Sequence, residues 1–145
     1  MLMGEYHHNI DDKGRLTIPS KFRDDLGEKF VITRGIEKCL FAYSEEDFNN
    51  IVKELQTIPF TKKDARNFMR FFLSGATVVE FDKQGRINIS TPLISYADIK
   101  KECVVIGTGD RLEIWALDAW NEFMDSTKDS MSDIAEGLFN ENTNL

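Results

Sequence analysis

One short charged motif occurs twice in this sequence, at corresponding places in two similar stretches of chain. Residues 11–15 read Asp-Asp-Lys-Gly-Arg and residues 82–86 read Asp-Lys-Gln-Gly-Arg. A shift of 71 residues superposes both motifs and the apolar positions beside them, and a shift of 72 superposes a later block in which Leu40 falls on Leu112. Repeats of fixed period are typical of supersecondary units in tandem. The sequence therefore predicts two half-domains, each of about 70 residues.

Each predicted half follows the same plan of a hairpin, two further strands and a helix. Apolar and polar residues alternate on both sides of each charged motif, which is a hairpin signal. Gly14 and Gly85 suit a turn residue with positive φ. The apolar runs KFVITR and CLFAY in the first half, and ECVVIG and LEIWA in the second, predict four more strands. The predicted fold is mainly β with peripheral helices, in which the two halves close one shared barrel or sandwich.

Helix signals divide the chain further. Ser44, Thr61 and Asp118 precede residues with helical apolar spacing and are the predicted helix N-caps. Four segments are predicted: a first half-domain over 1–60, a linking helix over 61–76, a second half-domain over 77–125, and an acidic tail or short helix over 126–145. The two half-domains are expected to form one compact unit.

The net charge of −7 is unevenly distributed along the chain. Residues 1–115 hold 17 basic and 18 acidic side chains, whereas residues 116–145 hold one basic and seven acidic side chains. Because salt screens charges beyond roughly 10 Å, an acidic end does not exclude a basic face elsewhere. The chain has no apolar run of membrane-spanning length and no signal-peptide pattern at its N-terminus. With two cysteines, free thiols in a cytoplasmic protein are expected.

The repeated motif combines groups suited to nucleic-acid recognition. An Asp at the end of one strand can accept hydrogen bonds from loop N–H groups or from the Arg that begins the next strand, which would stiffen the loop. The guanidinium suits bidentate recognition of phosphate or guanine. The alternative is a structural ion pair that holds the turn, but a structural role does not require exposed side chains to match in both halves. The predicted DNA-binding residues are Asp11, Lys13, Gly14, Arg15, Asp82, Lys83, Gln84, Gly85 and Arg86.

Other candidate sites are weaker. His7 and His8 would point to opposite faces of a strand and no other histidine exists, so no metal site and no cofactor are predicted. Without a nucleophile–base motif or a nucleotide loop, we do not expect an enzyme with a small-molecule substrate. Residues 61–76 carry a net charge of +3, which suits contact with DNA backbone, contact with an acidic neighbouring subunit, or a solvated helix face.

Five stretches together resemble the MraZ family of bacterial proteins: IDDKGRLTIPSKFR, YSEEDF, RFFLSGA, FDKQGRINIS and RLEIWALDAW. The resemblance covers roughly residues 1–125 and leaves the acidic tail unmatched. It implies a pseudo-two-fold, swapped-hairpin (double-ψ) β-barrel related to AbrB-type regulators, with both halves supplied by one chain. Asp11 and Arg15 match the first family motif, and Asp82 and Arg86 match the second. The second half departs from the pattern at Ser90, where the first half has proline.

The resemblance also implies a function. Proteins of this family look like cytoplasmic, nucleoid-associated transcription regulators that bind double-stranded DNA at direct repeats in the promoter of the division and cell-wall gene cluster. They assemble into rings of identical subunits. Two other functions stay open at this point: an antitoxin-like DNA-binding module whose C-terminal tail holds a protein partner, and a ring scaffold that binds no DNA.

Overall fold

The computed structural model describes residues 1–141, which form eight β-strands and six α-helices. The strands are β1 Leu2–Asn9, β2 Arg15–Thr17, β3 Lys29–Arg34, β4 Leu40–Ser44, β5 Thr77–Glu80, β6 Arg86–Asn88, β7 Glu102–Gly109 and β8 Leu112–Ala116. The helices are α1 Arg23–Leu26, α2 Glu45–Gln56, α3 Lys63–Ser74, α4 Thr91–Tyr96, α5 Leu117–Thr127 and α6 Met131–Glu141. Residues 142–145, the last part of the predicted acidic segment, lie outside the described residues.

The two halves of the chain exchange their first strands. β1 pairs antiparallel with β7, the third strand of the second half. β5 pairs in the same way with β3, the third strand of the first half. The fourth strands, β4 and β8, pair with each other at the centre of the sheet, whose order is β1-β7-β8-β4-β3-β5. The repeat in the sequence is therefore a two-fold repeat of strand pairing in the structure.

The second strands form a separate ladder of two. β2 pairs antiparallel with β6, and Leu16 lies opposite Ile87. Within residues 1–141, the strand hydrogen bonds define this ladder and an open six-stranded sheet. The mainly β fold with peripheral helices is confirmed, and the closure of a swapped-hairpin barrel stays a prediction.

An apolar core lies on each face of the six-stranded sheet. Alternate residues of a strand point to opposite faces, so Phe30 and Ile32 enter one core while Val31 enters the other. The first core fills the space between the sheet and the ladder, and Leu16 and Ile87 are fully buried in it. The second core lies beneath α2, α3 and α5 and is mostly aromatic. Because both faces are covered, β3 is apolar between its charged ends except at Thr33, which is buried.

The helix predictions are partly right. Ser44 begins α2 as predicted, and its hydroxyl accepts a first-turn backbone N–H at 3.1 Å. The predicted caps Thr61 and Asp118 are wrong, because Lys62 and Ala116 occupy the cap positions of α3 and α5 without a side-chain hydrogen bond. None of the helices in the described part of the chain is both long and apolar enough to cross a bilayer.

The acidic segment after residue 125 is helical as far as it is described. Its last helix, α6, follows α5 after a 3₁₀ turn at Lys128–Ser130. Between Met131 and Asn140 every side chain is exposed except that of Ala135, which is half-buried. The helix therefore projects from the body of the protein instead of packing on it.

Candidate nucleic-acid interface

The first charged motif forms a turn built around the Asp11 carboxylate. Its Oδ1 accepts the backbone N–H of Lys13 at 3.0 Å and that of Arg15 at 2.8 Å. Its Oδ2 accepts the Arg15 Nε–H at 2.6 Å. Gly14 has φ of 78°, a conformation that favours glycine. Both contacts that the sequence predicted for the aspartate are present, so the carboxylate holds the loop and the guanidinium together.

The second motif forms the same turn with the same bonds. Asp82 Oδ1 accepts the backbone N–H groups of Gln84 at 2.8 Å and Arg86 at 2.9 Å. Asp82 Oδ2 accepts the Arg86 Nε–H at 2.8 Å. Gly85 has φ of 76°. The duplication therefore extends from sequence to hydrogen-bond geometry.

The two turns lie at opposite ends of the three-residue β2–β6 ladder, where Arg15 is opposite Asn88 and Arg86 is opposite Thr17, and they contact each other across it. Each turn receives a backbone hydrogen bond from the residue just after the strand that follows the other turn: Ile18 N–H donates to Gly85 O at 3.2 Å, and Ile89 N–H donates to Gly14 O at 2.8 Å. Arg86 Nη1 also lies 3.9 Å from the Asp11 carboxylate of the other turn. The predicted site residues of both halves thus form one surface.

The alternation of the ladder decides which way the arginines face. Leu16 and Ile87 point into the core, so Arg15 and Arg86, one residue earlier in each strand, point away from it. Their side chains are 33% and 26% exposed. Within residues 1–141, Nε is the only side-chain nitrogen of Arg15 that donates a hydrogen bond, and the same holds for Arg86. Their terminal amino groups donate no hydrogen bond within these residues, and Arg86 Nη1 lies 3.9 Å from the Asp11 carboxylate.

Polar side chains surround this pair of guanidinium groups. Lys13, Lys83 and Gln84 are exposed. Gln84 immediately precedes the turn glycine of the second motif, the position that Lys13 has in the first motif. Asp12 is the further acidic residue of the first turn and is exposed as well. The surface therefore carries mobile positive charges next to two guanidinium groups of fixed orientation.

A comparison with known families identifies the chain. A sequence profile described as "MraZ protein, putative antitoxin-like" matches residues 1–71 and again residues 72–142. The chain belongs to the MraZ family. The two matched ranges together cover nearly the whole sequence, and each contains one of the two Asp-anchored turns.

The hydrogen bonds lower the pKa of the aspartates in this MraZ chain. For Asp11 the backbone N–H of Arg15 is the largest cause, opposed by desolvation, and the Arg15 guanidinium and the backbone N–H of Lys13 lower the pKa further. Asp82 has the corresponding donors in Arg86 and Gln84, and its pKa is lowered in the same way. A folded-state pKa below the unfolded value means that this contribution to stability is present above the unfolded pKa and is lost as pH falls through the folded one.

We expect the side-chain carboxyl groups of Asp11 and Asp82 to titrate below 3.8, the ordinary value, in an NMR pH titration. In Arg15→Ala, the pKa of Asp11 should rise only part of the way, because the backbone N–H donors remain. Asp82 in the same variant is the internal reference and should not change. An Asp11 pKa at or above 3.8 in the unmodified protein would contradict the anchored turn.

The guanidinium of Arg23 lies against the second turn. A Cβ at Gly85 would overlap it, and its Cζ is 5.1 Å from the centroid of the Phe81 ring. The Arg23 Nε is buried and has no hydrogen-bond partner among residues 1–141. Against the first turn, the matching neighbour of Gly14 is Ile94. The two turns therefore have the same backbone geometry, but a charged side chain packs against the second turn and an apolar side chain packs against the first.

Sequence reasoning did not identify Arg23. The available signal was the repeat itself, since the 71-residue shift aligns Arg23 with Ile94. At this repeat position the first half has the charged Arg23 and the second half has the apolar Ile94, so the surroundings of the two turns differ. Elsewhere in the described residues, no three His, Cys, Asp or Glu side chains are grouped so that they could hold a metal ion.

Proposed function

We propose that this chain is a sequence-specific DNA-binding transcription regulator that reads the major groove with its paired turns. The observation that carries the proposal is the position of Arg15 and Arg86 on one face of the ladder, each held by an aspartate through Nε, with terminal amino groups that donate no hydrogen bond within residues 1–141. An oriented guanidinium can donate two parallel hydrogen bonds to the O6 and N7 atoms of guanine. Each such contact contributes about 1–3 kcal/mol of discrimination between bases.

Lys13 and Lys83 are proposed to contact phosphates on either side of the bases that are read. Such contacts supply affinity and position the protein, and they carry no sequence information. Gln84 occupies a place in the second turn from which it can reach an adenine edge or a phosphate. Gly14 and Gly85 shape the turns and bring the backbone close to the DNA, and Asp11 and Asp82 orient the arginines. The role proposed for this surface is binding and not catalysis.

The proposed target is a set of direct repeats in the promoter of the division and cell-wall gene cluster, bound by a ring of identical subunits. Its support is membership of the MraZ family and the resemblance in the motifs. One chain offers only two turns, so several linked copies on repeated sites would gain affinity by avidity. We further propose that the exchanged strands form the swapped-hairpin barrel of AbrB-type regulators, and that the protein acts in the cytoplasm on the nucleoid.

The direct test is a footprint of the purified protein on the DNA upstream of its own gene, at two salt concentrations. We expect protection of regularly spaced sites, and an affinity that falls steeply with salt. If Lys13 and Lys83 each neutralise one phosphate, every bound copy contributes roughly −2 to the slope of log K against log[salt]. Lys13→Ala should reduce that slope by about one per copy and should weaken binding to all sequences alike. Uniform, salt-independent protection would contradict the proposal.

The second candidate is an antitoxin-like module with a protein partner held by the C-terminal segment. The antitoxin-like description of the family favours it, and so does the exposed helix α6, whose apolar side chains are not covered by other described residues. Co-expression with the products of neighbouring genes, followed by purification on the tagged chain, separates the two functions. A stoichiometric partner that is lost when residues 128–145 are removed would favour the antitoxin-like function.

A further inference from the structure

Helix α6 carries an apolar stripe that no part of residues 1–141 covers. The large members of this stripe are 43–58% exposed. They recur at the i, i+3, i+4, i+7, i+8 spacing of an amphipathic helix: Met131, Ile134, Ala135, Leu138 and Phe139. Isolated helices shorter than about 12–15 residues are marginal in water, and α6 has 11 residues. A helix this short with an uncovered stripe needs a surface to pack on.

An apolar groove that could accept the stripe of such a helix lies between α2 and α3. It encloses about 470 Å³ and is lined by Leu55, Ile58, Phe60 and Met69, among others. The Phe60 ring at its rim is 81% exposed. Ile58 beside it is 42% exposed, and apolar side chains exposed together in this way are typical of an interaction surface.

The two surfaces carry opposite charge. Residues 129–141 hold four acidic and no basic side chains, for a net charge of −4. Residues 61–76 hold four basic side chains and one acidic, for a net charge of +3, and Arg66 and Arg70 line the groove itself. Asp133 and Glu136 lie on the face of α6 opposite the apolar stripe. In the docked helix they would therefore attract the basic groove at long range and speed association, without forming direct ion pairs with it.

We propose that α6 of one copy of the chain docks in the α2–α3 groove of a second copy. At 1.5 Å per residue, α6 is about 16 Å long, which matches the length of α3 alongside it. The proposed contact is heterologous and without reciprocal exchange, so that a copy that gives its helix keeps its own groove free for a third copy. It therefore specifies a contact by which the proposed ring could form, and in that sense it rests on the proposed assembly. It uses a different surface from the paired turns, and DNA is not needed to test it.

Cysteine crosslinking between two differently substituted chains tests the contact. One chain carries Phe60→Cys in the groove and the other carries Leu138→Cys on the stripe. After mixing and mild oxidation with copper phenanthroline, we expect a disulfide-linked dimer that contains one chain of each kind. The two native thiols should not form crosslinks, because both are buried and burial raises the pKa of Cys39 to about 12 and that of Cys103 to about 11.

Asn140→Cys is the matched control, because it places a thiol on the opposite face of the same helix. It should give no mixed dimer with Phe60→Cys, and circular dichroism should show equal helix content in all three chains. A mixed dimer that forms equally well from Asn140→Cys would overturn the proposal, and so would no mixed dimer at all. A chain carrying both Phe60→Cys and Leu138→Cys that closes only an internal disulfide would assign the groove to its own helix and overturn it too.

Charge reversal provides a second and independent readout. Arg70 lines the groove and, in the described residues, bonds only to Asn67 on its own helix. Arg70→Glu should therefore weaken self-association at least about tenfold in sedimentation velocity at low salt, because it places like charges on the two surfaces. Asp133→Lys with Glu136→Lys on the partner helix should restore it. If DNA binding fails while the mixed dimer forms, the proposed function falls and this contact stands.

Discussion

Arg15→Ala is expected to remove specific DNA binding and to leave the fold intact. The loss should be at least about tenfold to a hundredfold in affinity for one copy, since a bidentate base contact discriminates by about 1–3 kcal/mol. In an assembly each turn is repeated, so the loss should multiply across the sites. The turn itself should persist, because Asp11 still accepts the backbone N–H groups of Lys13 and Arg15. Gel shift on the upstream DNA and a melting curve are the two measurements.

Three further variants give this prediction its controls. Arg86→Ala should behave like Arg15→Ala if both turns read DNA, and should keep binding if the second turn serves another purpose. Arg15→Lys keeps the charge and loses the planar fork, so it should retain non-specific binding and lose preference for the promoter. Lys53→Ala removes the same charge from α2, on the opposite face of the sheet, and should bind normally. A large fall in melting temperature for Arg15→Ala would mean that the ion pair is structural.

The strands were predictable because the apolar runs in the sequence have the same boundaries as the strands in the structure. KFVITR coincides with β3 and LEIWA with β8. Both strands are covered on two faces, so most of their residues are apolar: β3 has charged residues at both ends, and β8 is apolar except at Glu113. The repeat also predicted correctly that β4 and β8 are equivalent strands, and they pair with each other at the centre of the sheet.

The exchange of β1 and β5 could not be obtained from the apolar pattern. Alternation within β1 is the same whether it pairs with β3 of its own half or with β7 of the other, so the pattern does not distinguish the two partners. The short helices α1 and α4 were missed for a different reason. With four and six residues they are too short to show helical periodicity.

The chemistry of each turn was predictable, and the meeting of the two turns was not. Asp and Arg four residues apart across a glycine predict the carboxylate–guanidinium contact locally. The contact of the Asp11 carboxylate with Arg86 at 3.9 Å depends on the β2–β6 ladder, which joins residues 71 positions apart. Arg23 was missed because its contact with Gly85 passes through the fold and leaves no local pattern.

Gly14→Ala is expected to cost the most stability of any alanine substitution at the site. The new Cβ would stand 2.7 Å from the backbone carbonyl oxygen of Ile89, and backbone cannot move aside as a side chain can. Relieving the overlap would pull apart the Ile89 N–H bond to Gly14 O, which is 2.8 Å long and joins the first turn to the segment that follows β6. Positive φ costs about 1–2 kcal/mol for a residue with a Cβ, and a lost hydrogen bond adds about 1 kcal/mol. Urea unfolding should therefore show a loss of about 2–3 kcal/mol.

Two other glycines separate the causes of that loss. Gly109 has φ of 101° and nothing within 4 Å of a Cβ, so Gly109→Ala should show only the conformational cost of about 1–2 kcal/mol. Gly85→Ala should exceed it, because the Cβ overlaps the Arg23 guanidinium, and Arg23→Ala in the same chain should return the excess by removing the obstacle. The corresponding Ile94→Ala should not rescue Gly14→Ala, since there the obstacle is the Ile89 backbone. Equal losses at all three glycines would mean that φ alone sets the cost and that the junction between the turns contributes nothing to stability.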